Sequence, residues 1–336
     1  MGGRIIMQAR LVSGIKPTGD LTLGNYLGAI KKFIKLQNNF ESYIFVADLH
    51  ALTDSQMSAK ELKENKRKII ALYLASGLDP QKVNIFYQSD VLEHGFIQWL
   101  CLCETTIGEL NRMTQFKDKT EKFKQGNNTY KIPSGILAYP TLMAGDILLY
   151  NPEIVPVGQD QTQHLELTRN IAERFNSKYK TKFNVPKPLL NEVGTKIMSL
   201  QNPDKKMSKS EGSQKATIYL LEDPQSAYNK ILKAVTDSEN KVYLSDEKKG
   251  VKNLLNIYAA INDLSLEEAA EKFRDSNYKE FKEAVAESVK ALLENLQSKY
   301  NDYLKTVDEI ASSGASKAKK LAQKTILELK EKMGLN

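Results

Sequence analysis

Cysteine is scarce in this chain: Cys101 and Cys103 are the only two among 336 residues. They stand two apart in a stretch with helical periodicity, where positions i and i+2 do not face each other. A disulfide framework and a cysteine-held metal cluster are therefore both excluded. Histidine is scarce as well. His50, His94 and His164 are the full set, and their spacing matches no metal-binding motif. The single tryptophan, Trp99, lies on a patterned helix, which predicts a core position. No run approaches the roughly 18 consecutive apolar residues of a membrane span. The opening MGGRIIMQARLVSG has no long apolar core, and it is poor in serine and arginine for a transit peptide. A reducing, cytoplasmic compartment and no membrane are the expectation.

What is present is ample material for a core. Apolar residues make up 41% and charged residues 26%, which is not a disordered composition. At roughly 150 residues per domain the length predicts two domains. The net charge is +7 and the pI near 9.0. This mild excess favours an anionic partner such as a nucleotide or nucleic acid, although many plain enzymes are as basic. Six lysines against two glutamates lie between Ala311 and Asn336, where a solvated terminal helix is the ordinary reading.

The first 90 residues read strand, helix, strand, helix, strand. The strands are Leu11–Ile15, Tyr43–Ala47 and Val83–Tyr87. The helices are Asn25–Gln37 and one from Ser58, with Glu61 as its capping-box partner, to Ser76 before Gly77. Continuous apolar strands alternating with amphipathic helices predict a parallel sheet covered on both faces. A long helix over His94–Phe116, an exposed loop over Lys117–Pro133 and a helix over Gly135–Tyr150 follow. Then come a fourth strand, Ile154–Val157, and a helix over Gln161–Asn176. The alternation stops near Ser199. Beyond Pro203 the sequence reads as a lysine-rich loop and helices only, at roughly 224–235, 251–262, 266–273, 278–304 and 306–333.

Three features bear on chemistry. The turn after the first strand opens a helix at Thr22-Leu23-Gly24-Asn25. Helix N-termini beyond the carboxyl ends of parallel strands offer free N–H groups to phosphates, and glycine lets a ligand approach the backbone. Alone, such a turn is weak evidence. Lys206-Met207-Ser208-Lys209-Ser210 places two lysines and two hydroxyls in a polar loop at the predicted domain boundary. Such a loop is ordinarily a solvated linker, but it can also close over a polyphosphate and neutralise developing charge. Asp146 breaks the apolar stripe Met143–Leu149. A carboxylate on an apolar helical face needs a partner, either structural or a ligand donor.

The five residues Lys206–Ser210 match the KMSKS signature of class I aminoacyl-tRNA synthetases, and Thr22–Asn25 resembles the HIGH signature as its tryptophanyl branch writes it. Ser13-Gly14-Ile15, Asp48-Leu49-His50-Ala51, Gly108-Glu109-Leu110 and Arg112–Lys117 extend the resemblance. Met143–Tyr150, Val155–Gln161, Ala234–Ser238 and Asn253–Tyr258 carry it over nearly the whole chain. The sequence thus resembles the bacterial tryptophanyl branch of that family.

The resemblance implies a Rossmann-type α/β catalytic domain with a parallel sheet over 8–204, containing the 117–133 insertion loop. A helical anticodon-recognition domain over 205–336 would follow, with its last helix folding back on the catalytic domain. It also implies a homodimer, with L-tryptophan, Mg·ATP and tRNA(Trp) as partners. Lys16, Pro17, Thr18, Gly24 and Asn25 would bind ATP, as would Gly158, Gln159 and Asp160 around the ribose and Ile197 at the adenine. Lys206, Met207, Ser208, Lys209 and Ser210 would hold its phosphates. Lys206, Lys209, Thr22, Asn25 and a lysine reaching the triphosphate, Lys119 or alternatively Lys117, would act in catalysis. Asp146 would accept the indole N–H, with Met143, Tyr139, His50 and Gln161 around the amino acid. No resident metal is implied apart from the magnesium of Mg·ATP. The chain departs from the family in carrying Lys16 where close relatives have glutamine, and in a longer segment at Thr120–Lys131. A tyrosyl-tRNA synthetase and a catalytically silent paralogue are the alternatives.

Overall fold

The fold is described from a computed structural model, over residues 8–53, 57–121, 132–158, 161–190, 196–208 and 215–336, the side chains of residues 121 and 190 excepted. Five parallel strands form one sheet in the order β3-β2-β1-β4-β5: β1 (Arg10–Ile15), β2 (Glu41–Val46), β3 (Val83–Tyr87), β4 (Ile154–Val157) and β5 (Lys187–Leu190). The order runs outward from β1 in one direction through β3 and in the other through β5. The crevice between β1 and β4 is therefore the switch point at which open α/β sheets bind ligands.

The expected strands and connecting helices are present. After β1 come α1 (Leu23–Asn25), a π-helical turn over Tyr26–Ile30 and α2 (Lys31–Leu36). Regular α spacing over 25–37 is thus broken by a wider turn. After β2 come α3 (Asp48–Ala51) and α4 (Ala59–Ala75), the latter opened by the Ser58–Glu61 capping box and closed at Gly77, φ +109°. Gln88–Asp90 forms a 3₁₀ turn after β3.

The single helix expected over His94–Phe116 is instead three: α5 (Glu93–Cys103), α6 (Ile107–Asn111) and α7 (Thr114–Glu121). The break is chemical. Thr105 turns its hydroxyl back to Cys101 O, and Thr106 caps a new helix with Glu109 as its box partner. Because α7 continues to Glu121, the first residues of the expected 117–133 loop are helical, and 122–131 lie outside the described residues.

Next come α8 (Ser134–Leu148) and α9 (Thr162–Tyr179), then β5, which sequence patterning does not reveal. It contains Pro188, a residue tolerated because β5 is an edge strand. The helical part follows as α10 (Pro224–Leu232), α11 (Lys249–Asn262), α12 (Leu266–Lys272) and α13 (Tyr278–Met333).

Helix α13 is one continuous helix of 56 residues, not two. No breaker stands at 304–306, and Gly314 does not end it because the backbone there is packed. A Cβ at Gly314 would stand 2.0 Å from Ile85 O, so glycine lets the helix lie directly on strand β3. One buried cluster runs from Leu23, Ile30 and Ile70 to Leu254, Phe281 and Val289, which joins the sheet to the helical part through shared core. Trp99 is not in the core: it is 61% exposed on the outer face of α5.

Candidate active site

A cavity of about 370 Å³ opens at the carboxyl ends of β1 and β4. Ser13, Gly14 and Ile15 form one wall and Val155 to Gly158 the other, with Gly28 and Ala29 of the π turn beside them. Gly14 is required where it stands, since a Cβ there would lie 2.6 Å from the Phe45 ring. Lys16, His50, Lys119, Tyr139, Met143, Asp146, Gly158 and Gln161 all line this cavity. Residues from five separate sequence segments are thereby brought together.

Asp146 sits on α8 at 2% exposure. Its neighbour Gly145 makes the packing possible: a Cβ there would stand 3.0 Å from Gln98 N, so α8 and α5 approach closely. The carboxylate accepts from His50 Nε2 on Oδ2 at 2.9 Å, and on Oδ1 from Gln88 Nε2 at 2.7 Å and His94 Nδ1 at 2.6 Å. Burial pushes its pKa up, but the hydrogen bonds and charge interactions of His50 and His94 outweigh burial and hold it down at about 2. The group is therefore an acceptor at neutral pH. The Tyr150 hydroxyl is within 2.8 Å of His94 Nε2. Burial first, and the Asp146 charge second, raise the phenol well above its ordinary range, so it stays protonated and donates.

Tyr139 stands over the cavity with its hydroxyl 2.9 Å from both Gln115 Oε1 and His164 Nε2. His164 Nδ1 is 2.9 Å from Gln161 Oε1, which fixes Gln161 at the start of α9. Lys119 places its ammonium 4.6 Å from the Tyr139 ring centroid. Lys16 reaches Thr53 Oγ1 at 3.5 Å, and that hydroxyl donates to His50 O at 2.8 Å.

The second half of the expected site lies where the sheet meets the helical part. Thr22 and Asn25 form a closed capping box: Asn25 N–H donates to Thr22 Oγ1 at 3.2 Å, and Thr22 N–H to Asn25 Oδ1 at 2.9 Å. Thr22 is buried. Pro17 is buried and Thr18 half-buried in the preceding turn, which Gly19 closes at φ +79°. A Cβ at Gly24 would meet Thr22 Oγ1 at 3.5 Å, Ile197 Cβ at 3.7 Å and Met207 Cβ at 3.8 Å. Ile197–Ser199 pairs with Lys205–Met207 through Ser199 N→Lys205 O and Met207 N→Ile197 O, at 2.8 and 3.0 Å.

Thr217 donates to Ser208 O at 3.0 Å, and the following residues pair with Leu21–Leu23. Lys206 is exposed and Met207 buried. Gln159, Asp160, Lys209 and Ser210 lie outside the described residues. Sequence reasoning missed Gln88 and gave His94 no role. The available signal was position, because Gln88 directly follows the carboxyl end of β3, where ligand-facing groups gather.

The family model of class I tRNA synthetases of the W and Y kind matches residues 7–294. A tryptophan–tRNA ligase of Mycoplasmopsis pulmonis is 59% identical over 325 residues, covering 97% of this chain and 98% of that one. The crystal structure of tryptophanyl-tRNA synthetase from Mycoplasma pneumoniae superposes with a TM-score of 0.90 at 40% identity, over 98% of this chain and 99% of its own. That of the Campylobacter jejuni enzyme, complexed with ADP and tryptophan, does so at 0.80 and 33%, over 97% and 99%. The chain belongs to the class I tRNA synthetases, in the group that comprises the tryptophan and tyrosine enzymes.

Proposed function

We infer that the chain is a tryptophan–tRNA ligase that uses ATP. The observation that carries the reading is Asp146: a buried, ionised acceptor with an oxygen facing an apolar cavity at the switch point of the sheet. The indole N–H would donate to it, with the ring against Met143 and Tyr139 and with His50 and Gln161 nearby. A buried acceptor built for one N–H rejects ligands lacking it by about 10⁴-fold or more.

In the first step the tryptophan carboxylate oxygen attacks the α-phosphorus of ATP in line. The bond from that phosphorus to the bridging oxygen breaks, giving tryptophanyl-adenylate and pyrophosphate. In the second, the terminal adenosine hydroxyl of the tRNA attacks the activated carbonyl and AMP leaves. Catalysis is by positioning and charge stabilisation. Lys206 and Lys209 would hold the departing pyrophosphate, with Met207, Ser208 and Ser210 completing that loop. Lys119 and Lys16 approach the phosphates from the cavity side, with Pro17 and Thr18 in the same turn. Gly158, Gln159 and Asp160 take the ribose, Ile197 helps seat the adenine, and Gly24 and Asn25 bind ATP at the helix start. Thr22 acts by capping the helix that carries Gly24.

Among the described residues no group of three or more His, Cys, Asp or Glu could hold a metal ion. Magnesium would come with ATP as Mg·ATP and would supply charge neutralisation at the phosphates.

A homodimer fits the apolar face at α5, where Leu92, Phe96 and Trp99 recur at helical spacing, all exposed. Action on tRNA in the cytoplasm completes the reading. No described helix is long and apolar enough to cross a membrane.

ATP–pyrophosphate exchange with each of the twenty amino acids tests the assignment. Exchange with tryptophan alone is expected, and exchange with tyrosine but not tryptophan would overturn it.

A further inference from the structure

Gln88 and His94 do not line the cavity, yet both end on Asp146 from behind it. Neither donor is free to turn. Leu49 N–H donates to Gln88 Oε1 at 3.2 Å, and since a backbone N–H can only donate, the amide nitrogen must face Asp146. The Tyr150 phenol occupies His94 Nε2, so the ring presents its other N–H, at Nδ1, to Asp146. Gln88 and His94 are fully buried, so water does not compete for these bonds.

We propose that Gln88 and His94 are positioning residues for tryptophan: together they fill Oδ1 of Asp146 and leave one open acceptor site, on Oδ2, towards the cavity. The proposal rests on Asp146 as the indole acceptor. An ionised carboxylate offers about four acceptor sites. Gln88 and His94 take both on Oδ1, and His50 takes one on Oδ2. One remains, and indole has one N–H. The count explains why a buried carboxylate can serve a single neutral donor without leaving a lone pair unsatisfied. It also fixes the carboxylate plane, so the open site has a single direction.

The test uses full-length protein and tryptophan itself, with tryptophan and ATP KM, kcat and melting temperature measured for each variant. Gln88→Met keeps the volume and removes the donor. Tryptophan KM should rise about tenfold or more while kcat and ATP KM hold, the pattern of lost uniform binding. His94→Asn, whose amide nitrogen can replace Nδ1, should lose less than His94→Leu.

Gln88→Glu gives a readout that a merely structural role would not move. Two carboxylates sharing one site raise one pKa strongly. While the introduced carboxyl keeps its proton, its O–H replaces the amide donor. As pH rises and the proton leaves, like charges displace Asp146, and tryptophan KM should climb at least about fivefold from pH 6 to 8 relative to wild type. The groups facing this pair are His50, His94 and Tyr150. Cys101, Tyr43 and Glu93 surround it, and Asp48, Lys66 and Asp90 lie across the turn. All are common to the two proteins, so the difference isolates position 88.

Wild-type tryptophan KM in Gln88→Met, with no added pH dependence in Gln88→Glu, would overturn the proposal if Asp146→Asn still lost tryptophan. If Asp146→Asn itself kept wild-type tryptophan KM and selectivity, the reading of Asp146 would fall instead.

Discussion

Asn253 grips Met198 by both ends of its amide. Its Oδ1 accepts Met198 N–H at 2.8 Å and its Nδ2 donates to Met198 O at 2.9 Å. Asn253 is buried on α11, whereas Met198 lies in the segment that pairs with Lys205–Met207. One side chain of the helical part therefore sets the base of the lysine loop. Asn253→Leu strands two backbone groups, at a cost of roughly 2–4 kcal/mol for the pair. Melting temperature should fall. In the same variant ATP KM should rise about tenfold while tryptophan KM stays, because loop slack is felt at the phosphates. Pyrophosphate exchange at varied ATP measures this, and an unchanged ATP KM would show the clamp to be structural only.

Gly24→Ala separates stability from function. The new methyl would meet Ile197 and Met207 at ordinary contact distances, 3.7 and 3.8 Å, so folding should be unharmed. Alanine in a helix is if anything more stable than glycine, by about 0.5–1 kcal/mol. The methyl nevertheless fills the space assigned to the nucleotide. An unchanged or raised melting temperature with ATP KM up about tenfold or more is expected. Normal ATP kinetics would remove Gly24 from the nucleotide site.

Acid titration should register Asp146. Its folded pKa, about 2, lies below the ordinary aspartate value near 3.8, so its ionisation stabilises the fold above the ordinary value. That contribution is lost as pH falls through about 4 towards 2, and amounts to about 2 kcal/mol. Urea melts of wild type and Asp146→Asn should differ most above pH 5 and converge by pH 2. A gap that stayed constant over that range would mean the carboxylate is not held ionised by its neighbours.

Strands β1 to β4 are legible because short, mostly apolar stretches alternate with amphipathic helices, and α4 because Ser58 and Glu61 mark its start. Strand β5 was hidden by Pro188, and the π turn leaves no periodic trace, since both depend on what packs around them. Asp146 stood out as a carboxylate on an apolar stripe. Of its partners only His50 is placed nearby, and that by the resemblance; Gln88 and His94 are not, because they come from other elements and only the folding of the sheet against α5 and α8 sets all three on one carboxylate. Trp99 was misplaced for the complementary reason. An apolar helical stripe has the same spacing whether this chain covers it or leaves it open.

That open stripe yields the last prediction. Leu92 is 77% exposed, Phe96 40% and Trp99 61%, at helical spacing from the residue before α5 into that helix. Each large aromatic buries roughly 150–250 Å² when covered, so a second copy seated here would bury a sizeable apolar patch. Trp99 is the chain's single tryptophan, so its emission reports on this face alone. In sedimentation the wild type should be a dimer at micromolar concentration, with blue-shifted emission that moves to the red as dilution separates the copies. Trp99→Glu removes the reporter and places a charge in the contact. It should be a monomer under the same conditions, because an unpaired buried charge costs several kcal/mol, about a thousandfold in affinity. Phe96→Glu keeps Trp99 and should give the fully red-shifted emission at every concentration. A wild type that remained monomeric, with concentration-independent emission, would show that this stripe is not covered by a second copy of the chain.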